Sequence, residues 1–187
     1  MRVISGASSE LPPEFVRRLW QYRHRVFVER LGWPLQSDGN CERDRFDTGA
    51  TVYVALEDGG QQIAGCARLL PTTQPYLLSE VFPQLLHGAR MPHDPRVWEL
   101  SRFAAMNFER PGVTPLAQFS SSLTARLMRE ALAYAARLGA ERLITVSPLG
   151  IERLVRRLRL DARRAGPPVE VGGQPMFACW IEVPRQR

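Results

Sequence analysis

The sequence contains no lysine, because all 25 of its basic residues are arginine. This absence excludes Schiff-base chemistry at a lysine, a lysine-anchored cofactor and the lysine of a phosphate-binding P-loop. Long apolar runs are also missing: none reaches the roughly 18 residues that a membrane-spanning helix needs. The first ten residues, MRVISGASSE, lack the basic start and apolar run of a signal peptide. We therefore expect a cytoplasmic protein that makes no contact with a membrane.

Cysteine and histidine are scarce, with three residues of each. Cys41, Cys66 and Cys179 lie far apart, and no pair of them has the spacing of metal ligands. Cys66 and Cys179 lie in apolar, strand-like runs, which predicts that they are small core residues. We predict no structural metal and no bound cofactor.

The 187 residues are 44% hydrophobic, enough for one domain with its own core, and no linker divides residues 1–187. Apolar periodicity predicts helices over 13–31, 116–138 and 149–160, with a short helical piece broken near Pro83 at 77–86. It predicts strands over 51–57, 62–70, 97–106, 142–146 and 174–183. This order favours a single α/β (α+β) domain with a mixed sheet and helices on both of its faces.

The segment VWELSRFAAM, residues 97–106, combines the apolar composition of a buried strand with two full charges, Glu99 and Arg102. Burying a charge is costly unless the charge is paired. Residues three apart point to opposite faces of an ideal strand, so either the two charges serve two faces or a bulge reorients one of them. A satisfied internal ion pair is the alternative without a functional role.

Four more charges occupy positions that suggest burial or pairing. Arg23 falls on the apolar stripe of the first helix, where it either reaches outward to solvent or points into a site. Arg68 lies in an otherwise apolar strand, and a position at the sheet edge is its alternative explanation. Asp44 and Asp47 flank Phe46 in a loop, where they either cap a turn or balance arginines and hold an ammonium group.

Taken together, these residues resemble the acyl-homoserine-lactone synthases, the autoinducer synthases of bacterial quorum sensing. The matching positions are Arg23, Phe27 and Trp33 within RHRVFVERLGW, Asp44 and Asp47 within DRFD, Arg68 within CARLLPT, and Glu99 and Arg102 within ELSRF. The resemblance implies the acetyltransferase-like (GNAT) fold. It also implies acyl transfer from acyl carrier protein to the amine of S-adenosylmethionine (SAM), followed by lactonisation and release of methylthioadenosine (MTA).

With that reaction as the hypothesis, Glu99 is the predicted general base, and Ser101 and Arg102 complete the predicted catalytic set. Backbone N–H groups of the same strand are expected to stabilise the thioester oxyanion. The remaining positions form the predicted binding site for SAM, which enters as a substrate: Arg23, Phe27, Trp33, Asp44, Asp47, Arg68 and Phe103.

The acyl chain requires an apolar tunnel between the long helix and the last strands. The candidates, each of which is equally consistent with an ordinary core position, are Leu100, Leu123, Met128, Thr145, Val146 and Phe177. Thr145 matches a family position associated with acyl-chain choice. Related sequences favour an unsubstituted chain of about six to eight carbons, although these residues do not themselves define a length.

The helix over 149–160 carries the arginines predicted to dock acidic acyl carrier protein, Arg153, Arg156 and Arg157, unless they form only a solvated face. No phosphate-cradling glycine loop is evident after residue 106, which favours carrier protein over free coenzyme A. The alternatives are a coenzyme A-dependent N-acyltransferase of the same fold acting on another amine, and a nucleic-acid-binding module. The latter lacks a base-reading motif and a stacking pattern, so we expect no nucleic-acid partner.

Overall fold

The computed structural model describes residues 1–108 and 122–184. The chain forms two compact units. The first unit contains residues 1–68 and 102–130, and the second contains residues 69–101 and 131–187. The sequence-based expectation of one domain over residues 1–187 stays a prediction.

The regular elements belong to a mixed sheet with flanking helices. The helices are α1 (Pro13–Arg23), α2 (Leu77–Val81), α3 (Ser122–Arg137) and α4 (Ile151–Arg157), with a π-helical segment at His24–Arg30 and 3-10 turns at Ser8–Glu10 and Pro83–Leu86. The strands are β1 (Arg2–Ala7), β2 (Ser37–Asp38), β3 (Cys41–Glu42), β4 (Val52–Glu57), β5 (Ile63–Pro71), β6 (Val97–Ala104), β7 (Arg142–Pro148), β8 (Ala162–Arg164), β9 (Val169–Val171) and β10 (Gln174–Glu182).

The strand order is β1-β4-β5-β6-β7-β10-β8, with β9 pairing to β10 and β2 pairing to β3 in a separate ribbon. Strands β6 and β7 are parallel, whereas β1 with β4 and β7 with β10 are antiparallel. The mixed sheet and its helices confirm the α/β class expected from the sequence.

In the first unit, the apolar stripe of α1 forms much of the core. Phe15, Leu19 and Tyr22 are buried, and they pack in a cluster that includes Tyr53 of β4 and Cys66 of β5. Pro13 opens the helix at its first position, where a missing N–H costs no hydrogen bond. The buried positions therefore follow the periodicity that predicted this helix.

The predicted helix over 13–31 changes type near its middle. It is α-helical to Arg23 and π-helical over His24–Arg30, and it ends before Gly32, whose φ of +67° suits the predicted stop. π-Helical turns are rare and occur often at functional sites. The periodicity of the sequence does not distinguish the wider turn, since both types bury Val26 and Phe27.

The sequence-based order of elements omitted β1, β2, β3, β8 and β9. Strands β2 and β3 have two residues each, in a segment that reads as a loop. Strand β1 is only half-buried and contains Ser5 and Gly6, so it has little apolar alternation, and its register with β4 defines it. Strands β8 and β9 have three residues each, which is too short for a periodic signal.

The helix boundaries near the second unit also differ from the predictions. Helix α4 is shorter than the predicted 149–160, because Leu158 caps it and Arg159 adopts a φ of +52°. Helix α3 ends two residues before Gly139, whose φ of +80° fits its predicted role as a terminator. Residues 116–121 of the predicted long helix lie outside the described residues.

Two features are absent from the described part of the chain. Over 1–108 and 122–184, no helix has both the length and the apolarity that a membrane crossing requires. Within the same ranges, no three His, Cys, Asp or Glu side chains are grouped as metal ligands. The absence of a metal stays a prediction.

Candidate active site

Three arginines and three carboxylates of the first unit form a closed ring of alternating charge, hereafter the charge ring. Each member contacts two members of opposite sign. The ring is neutral overall, because it has three positive and three negative members. The N–O distances around the ring are 2.7 Å for Arg23–Glu42, 3.0 Å for Glu42–Arg102, 2.9 Å for Arg102–Asp44, 2.6 Å for Asp44–Arg68, 3.1 Å for Arg68–Asp47 and 2.7 Å for Asp47–Arg23.

Secondary-structure elements hold most members of the ring in place. Arg23 is the last residue of α1, Arg68 lies in β5, Arg102 lies in β6 and Glu42 ends β3. The side chain of Asp44 is 21% exposed, whereas those of the other five members are at most 5% exposed. Asp44 is therefore the point at which solvent reaches the ring.

Asp47 accepts more hydrogen bonds than its two oxygens usually do. Its Oδ1 accepts from Arg23, Arg68 and Tyr53, and its Oδ2 accepts from Arg23 and from the backbone N–H of Asp44. Burial acts to raise the pKa of Asp47, but the positive charges of Arg23 and Arg68 outweigh it and hold that pKa well below its usual range. Asp47 therefore stays ionised throughout the working pH range.

Glu42 is a member of the ring that the sequence analysis missed. Its Oε2 accepts from Arg23 Nε at 2.7 Å, and its Oε1 accepts from Arg102 Nη2 at 3.0 Å. Burial acts to raise the pKa of Glu42, and the charges of Arg23 and Arg102 outweigh it, so the pKa is lowered. The available signal was the carboxylate's position two residues before Asp44, within a polar segment typical of a solvated loop.

The backbone of β6 is irregular at Arg102, while the predicted choice between two faces and a bulge stays a prediction. The φ of +49° at Arg102 lies in the left-handed region, which a non-glycine residue adopts only at a cost in free energy of about 1–3 kcal/mol. The thiol of Cys66 donates to the Arg102 carbonyl at 3.2 Å. Buried Cys66 and Cys179 confirm the predicted core positions of these two cysteines.

An aromatic pair adjoins the charge ring. The rings of Phe27 and Trp33 stack with their centroids 5.0 Å apart, and the Arg102 guanidinium lies 5.7 Å from the Phe27 ring centre. The structure thus brings together seven of the residues predicted for substrate binding or catalysis: Arg23, Phe27, Trp33, Asp44, Asp47, Arg68 and Arg102. Phe103 is half-buried in the same unit.

Glu99, the predicted general base, is fully buried in the second unit. Its Oε2 accepts a hydrogen bond from the backbone N–H of Leu78, in the first turn of α2, at 2.6 Å. This contact fixes one carboxylate oxygen and stabilises its negative charge. Ser101, the third residue of the predicted catalytic set, is also buried in this unit. The roles of Glu99 and Ser101 stay predictions.

The residues predicted for the acyl tunnel divide between the two units. In the second unit, Leu100 is opposite Thr145 in register, and Phe177 is opposite Ser147. Thr145 and Ser147 share a face of β7, whereas Val146 points to the other face. A cavity on one face of β7 would therefore not include both Thr145 and Val146. In the first unit, Met128 is buried and Leu123 is half-buried on α3.

The arginines predicted to dock carrier protein lie on the solvent-exposed side of α4. Arg153, Arg156 and Arg157 are exposed, whereas Leu154 and Val155 are buried. Arg159 and Arg163 are also exposed, while Arg164 pairs with Glu152. The amphipathic pattern of the sequence thus places the charges correctly, but their docking role stays a prediction.

Comparisons with known proteins concern the chain as a whole. An acyl-homoserine-lactone synthase of Acinetobacter nosocomialis is 48% identical over 183 residues, which cover 98% of this chain and 100% of that protein. The crystal structure of TofI in a ternary complex with an inhibitor and MTA has a TM-score of 0.84 and 43% identity, covering 98% of this chain and 92% of that one.

A second solved structure is BjaI, a coenzyme A-dependent acyl-homoserine lactone synthase with SAM and isopentyl-CoA. It has a TM-score of 0.84 and 26% identity, covering 98% of this chain and 82% of that one. These similarities confirm the acetyltransferase-like fold that the resemblance implied. A family model described as autoinducer synthase matches residues 8–187. The chain therefore belongs to the autoinducer synthase family, the acyl-homoserine-lactone synthases.

Proposed function

We propose that this acyl-homoserine-lactone synthase joins an acyl chain carried by acyl carrier protein to the amine of SAM, and then releases the lactone and MTA. The observation that carries the proposal is the charge ring, with six buried or half-buried charges beside a stacked aromatic pair. A core has no need of so many charges, whereas a zwitterionic nucleotide requires charged groups and aromatic surfaces together. Relatives whose structures contain SAM or MTA support the choice of substrate.

The ring's own pairing suggests how its members divide the work. Each arginine already contacts two carboxylates, so the ring is a rigid frame rather than a set of free cations. Asp44 is the member with appreciable exposure, and its carboxylate is the natural contact for the ammonium group of SAM. The stacked Phe27 and Trp33 offer apolar surface to the adenosyl group.

The acyl transfer begins with a proton. The ammonium group of SAM loses one proton to the Glu99 carboxylate, directly or through a water, and the resulting amine attacks the thioester carbonyl carbon. The nitrogen of the tetrahedral intermediate gives up its second proton as the C–S bond breaks, and the departing sulfur takes that proton. The products of this step are therefore a neutral amide and the carrier thiol. Glu99 suits this role because it lies in the sheet and has one oxygen fixed by the Leu78 N–H.

Lactonisation then needs no nucleophile from the protein. The carboxylate of the acylated product attacks its own γ-carbon, and the bond from that carbon to the sulfonium breaks, releasing neutral MTA. The enzyme's contribution is to hold the reacting atoms close together, which can itself accelerate an intramolecular step by several orders of magnitude.

The identity of the acyl donor is tested directly with the purified protein, SAM, and the same six- or eight-carbon acyl group on either carrier protein or coenzyme A. We expect mass spectrometry to find the acyl-homoserine lactone and MTA, with kcat/KM at least about tenfold higher for the carrier-bound donor. Equal or better use of acyl-coenzyme A would contradict the proposal that acyl carrier protein is the donor, and would resemble the coenzyme A dependence of BjaI. No lactone with either donor would contradict the function.

Charge reversal on α4 is expected to weaken use of the carrier protein. Changing Arg153, Arg156 and Arg157 together to glutamate should raise KM for acyl carrier protein at least about tenfold, because it repels an acidic partner and slows encounter. The KM for SAM should be unchanged. Steady-state kinetics at several salt concentrations would measure both effects.

The matched control has the same change in net charge elsewhere on the surface. Arg17, Arg90 and Arg129 are exposed, and reversing all three should leave KM for the carrier near the wild-type value. Equal effects from the two triple variants would show that net charge matters, rather than this face of α4.

A further inference from the structure

A chain of two hydrogen bonds leads from α1 to the charge ring. The indole Nε1–H of Trp20 donates to the hydroxyl oxygen of Tyr53 at 3.2 Å, and the hydroxyl of Tyr53 donates to Oδ1 of Asp47 at 2.7 Å. Neither Trp20 nor Tyr53 is charged, and neither belongs to the ring itself. Tyr53 nevertheless contacts Asp47, the most heavily bonded carboxylate of the charge ring, and Trp20 contacts Tyr53.

The chemistry of the three groups fixes the direction of this chain. An indole N–H can only donate, and an ionised carboxylate can only accept, so the hydroxyl accepts from Trp20 and donates to Asp47. Burial and the negative charge of Asp47 raise the pKa of Tyr53, which keeps its proton in place at any working pH. Trp20 thus orients the hydroxyl, and the hydroxyl orients Asp47.

Tyr53 is well suited to serve as a fixed reference point. It lies in β4 opposite Gly6 of β1, and it is only 1% exposed. A buried tyrosine has two side-chain torsions, whereas the arginines that also hold Asp47 have four. Tyr53 therefore fixes the position of the loop that carries Asp47 relative to β4.

We propose that Tyr53 is a positioning residue for the SAM site, and that Trp20 sets the direction of its hydroxyl. The hydroxyl fixes the rotation of the Asp47 carboxylate, which in turn aligns Arg23, Arg68 and the backbone of Asp44. Since Asp44 is the exposed member of the ring, its placement determines how well SAM binds. This inference rests on the proposed function of the ring.

The test is Tyr53→Phe, which removes the hydroxyl oxygen and keeps the aromatic ring of the side chain. We expect KM for SAM to rise about tenfold, the size typical for loss of a hydrogen bond to a charged group, while kcat changes less than about twofold. Trp20→Phe should raise KM about threefold, because the hydroxyl remains but loses its orientation. A purely structural role would lower Tm without separating KM from kcat.

The double variant provides the sharper readout. If Trp20 acts through the hydroxyl, Trp20→Phe should have no further effect on KM in the Tyr53→Phe background, whereas independent effects would add. Tyr22→Phe is the matched control, since it removes another buried hydroxyl whose partners are the backbones of Ala64 and Met106. It should lower Tm and leave KM for SAM near the wild-type value.

The outcomes separate this inference from the proposed function. A wild-type protein that turns over SAM, together with folded Tyr53→Phe at unchanged KM, would overturn the positioning role alone. Additive effects in the double variant would also overturn it. If Tyr53→Phe does not fold, Trp20→Phe decides the question. An unchanged KM for SAM in Trp20→Phe overturns the positioning role, and a raised KM for SAM at unchanged kcat supports it. A wild-type protein without SAM turnover would instead reject the proposed function.

Discussion

Glu99→Gln is expected to lower kcat at least about 100-fold while leaving Tm within about 2 °C of the wild type. General-base catalysis typically contributes about 10²–10⁴-fold, and glutamine cannot take a proton from the ammonium group. Glutamine does retain a side-chain oxygen that can accept from the Leu78 N–H, as Glu99 Oε2 does now. Single-turnover measurement of acylated product at saturating SAM and acyl donor would isolate this step.

The comparison with Glu99→Ala separates catalysis from support of the fold. Alanine removes the base and also the partner of the Leu78 N–H, at the start of α2, so Tm should fall as well as kcat. Near-wild-type turnover by Glu99→Gln would show that another group takes the proton. If Tm falls as far in Glu99→Gln as in Glu99→Ala, the carboxylate is mainly structural.

Glu42→Gln is expected to lower the free energy of unfolding by about 3–5 kcal/mol. The change leaves Arg23 and Arg102 each with one carboxylate partner in a site where both guanidinium groups are almost fully buried. An uncompensated buried charge is far more costly than the loss of a surface pair. Urea denaturation of the wild type and Glu42→Gln at neutral pH, with each tested for two-state behaviour, would measure the difference.

Glu152→Gln is the matched control, because Glu152 is likewise a glutamate whose two oxygens accept from arginine, in this case only Arg164 and at the surface. Its effect should be a small fraction of that at Glu42, since exposed pairs contribute little. Equal losses for the two variants would contradict the special cost of the buried ring.

The pH dependence gives this prediction a second measurement. The pKa of Glu42 is lowered in the folded protein, so its contribution to stability is present above the unfolded value and is lost as the pH falls. An unfolded glutamate takes up its proton near pH 4.3. The difference in stability between the wild type and Glu42→Gln should therefore be constant above about pH 4.5 and should shrink progressively as the pH falls from there towards the lowered pKa of folded Glu42.

The sequence predicts the charge ring better than it predicts the path of the backbone that builds it. Arg23, Arg68 and Arg102 stood out because each is a charge in an apolar pattern, and that contrast is visible in one dimension. Glu42 escaped notice because its strand has two residues and its neighbours are polar. Its burial depends on pairing with Arg23 and Arg102, which are 19 and 60 residues away, and no local pattern contains such partners.

The acyl-tunnel candidates show a different limit. Thr145 was selected through a matching family position and Val146 through its apolar strand. Neighbouring residues of a strand face opposite ways, and only the register of β7 with β10 assigns their faces. Similarly, the apolar pattern of the sequence does not indicate the wider turns of His24–Arg30 or the left-handed conformation of Arg102. Periodicity identifies an element's buried side and leaves its irregularities unspecified.

The closed pairing of Arg23, Glu42, Arg102, Asp44, Arg68 and Asp47 restricts how this protein can evolve. Any single replacement that alters a charge leaves a neighbour uncompensated in the interior, so intermediate genotypes would be poorly folded. Neutral drift is blocked at these positions even if substrate preference changes elsewhere. New acyl specificities should therefore arise through the apolar residues around the sheet, while the six ionic positions are inherited as a set.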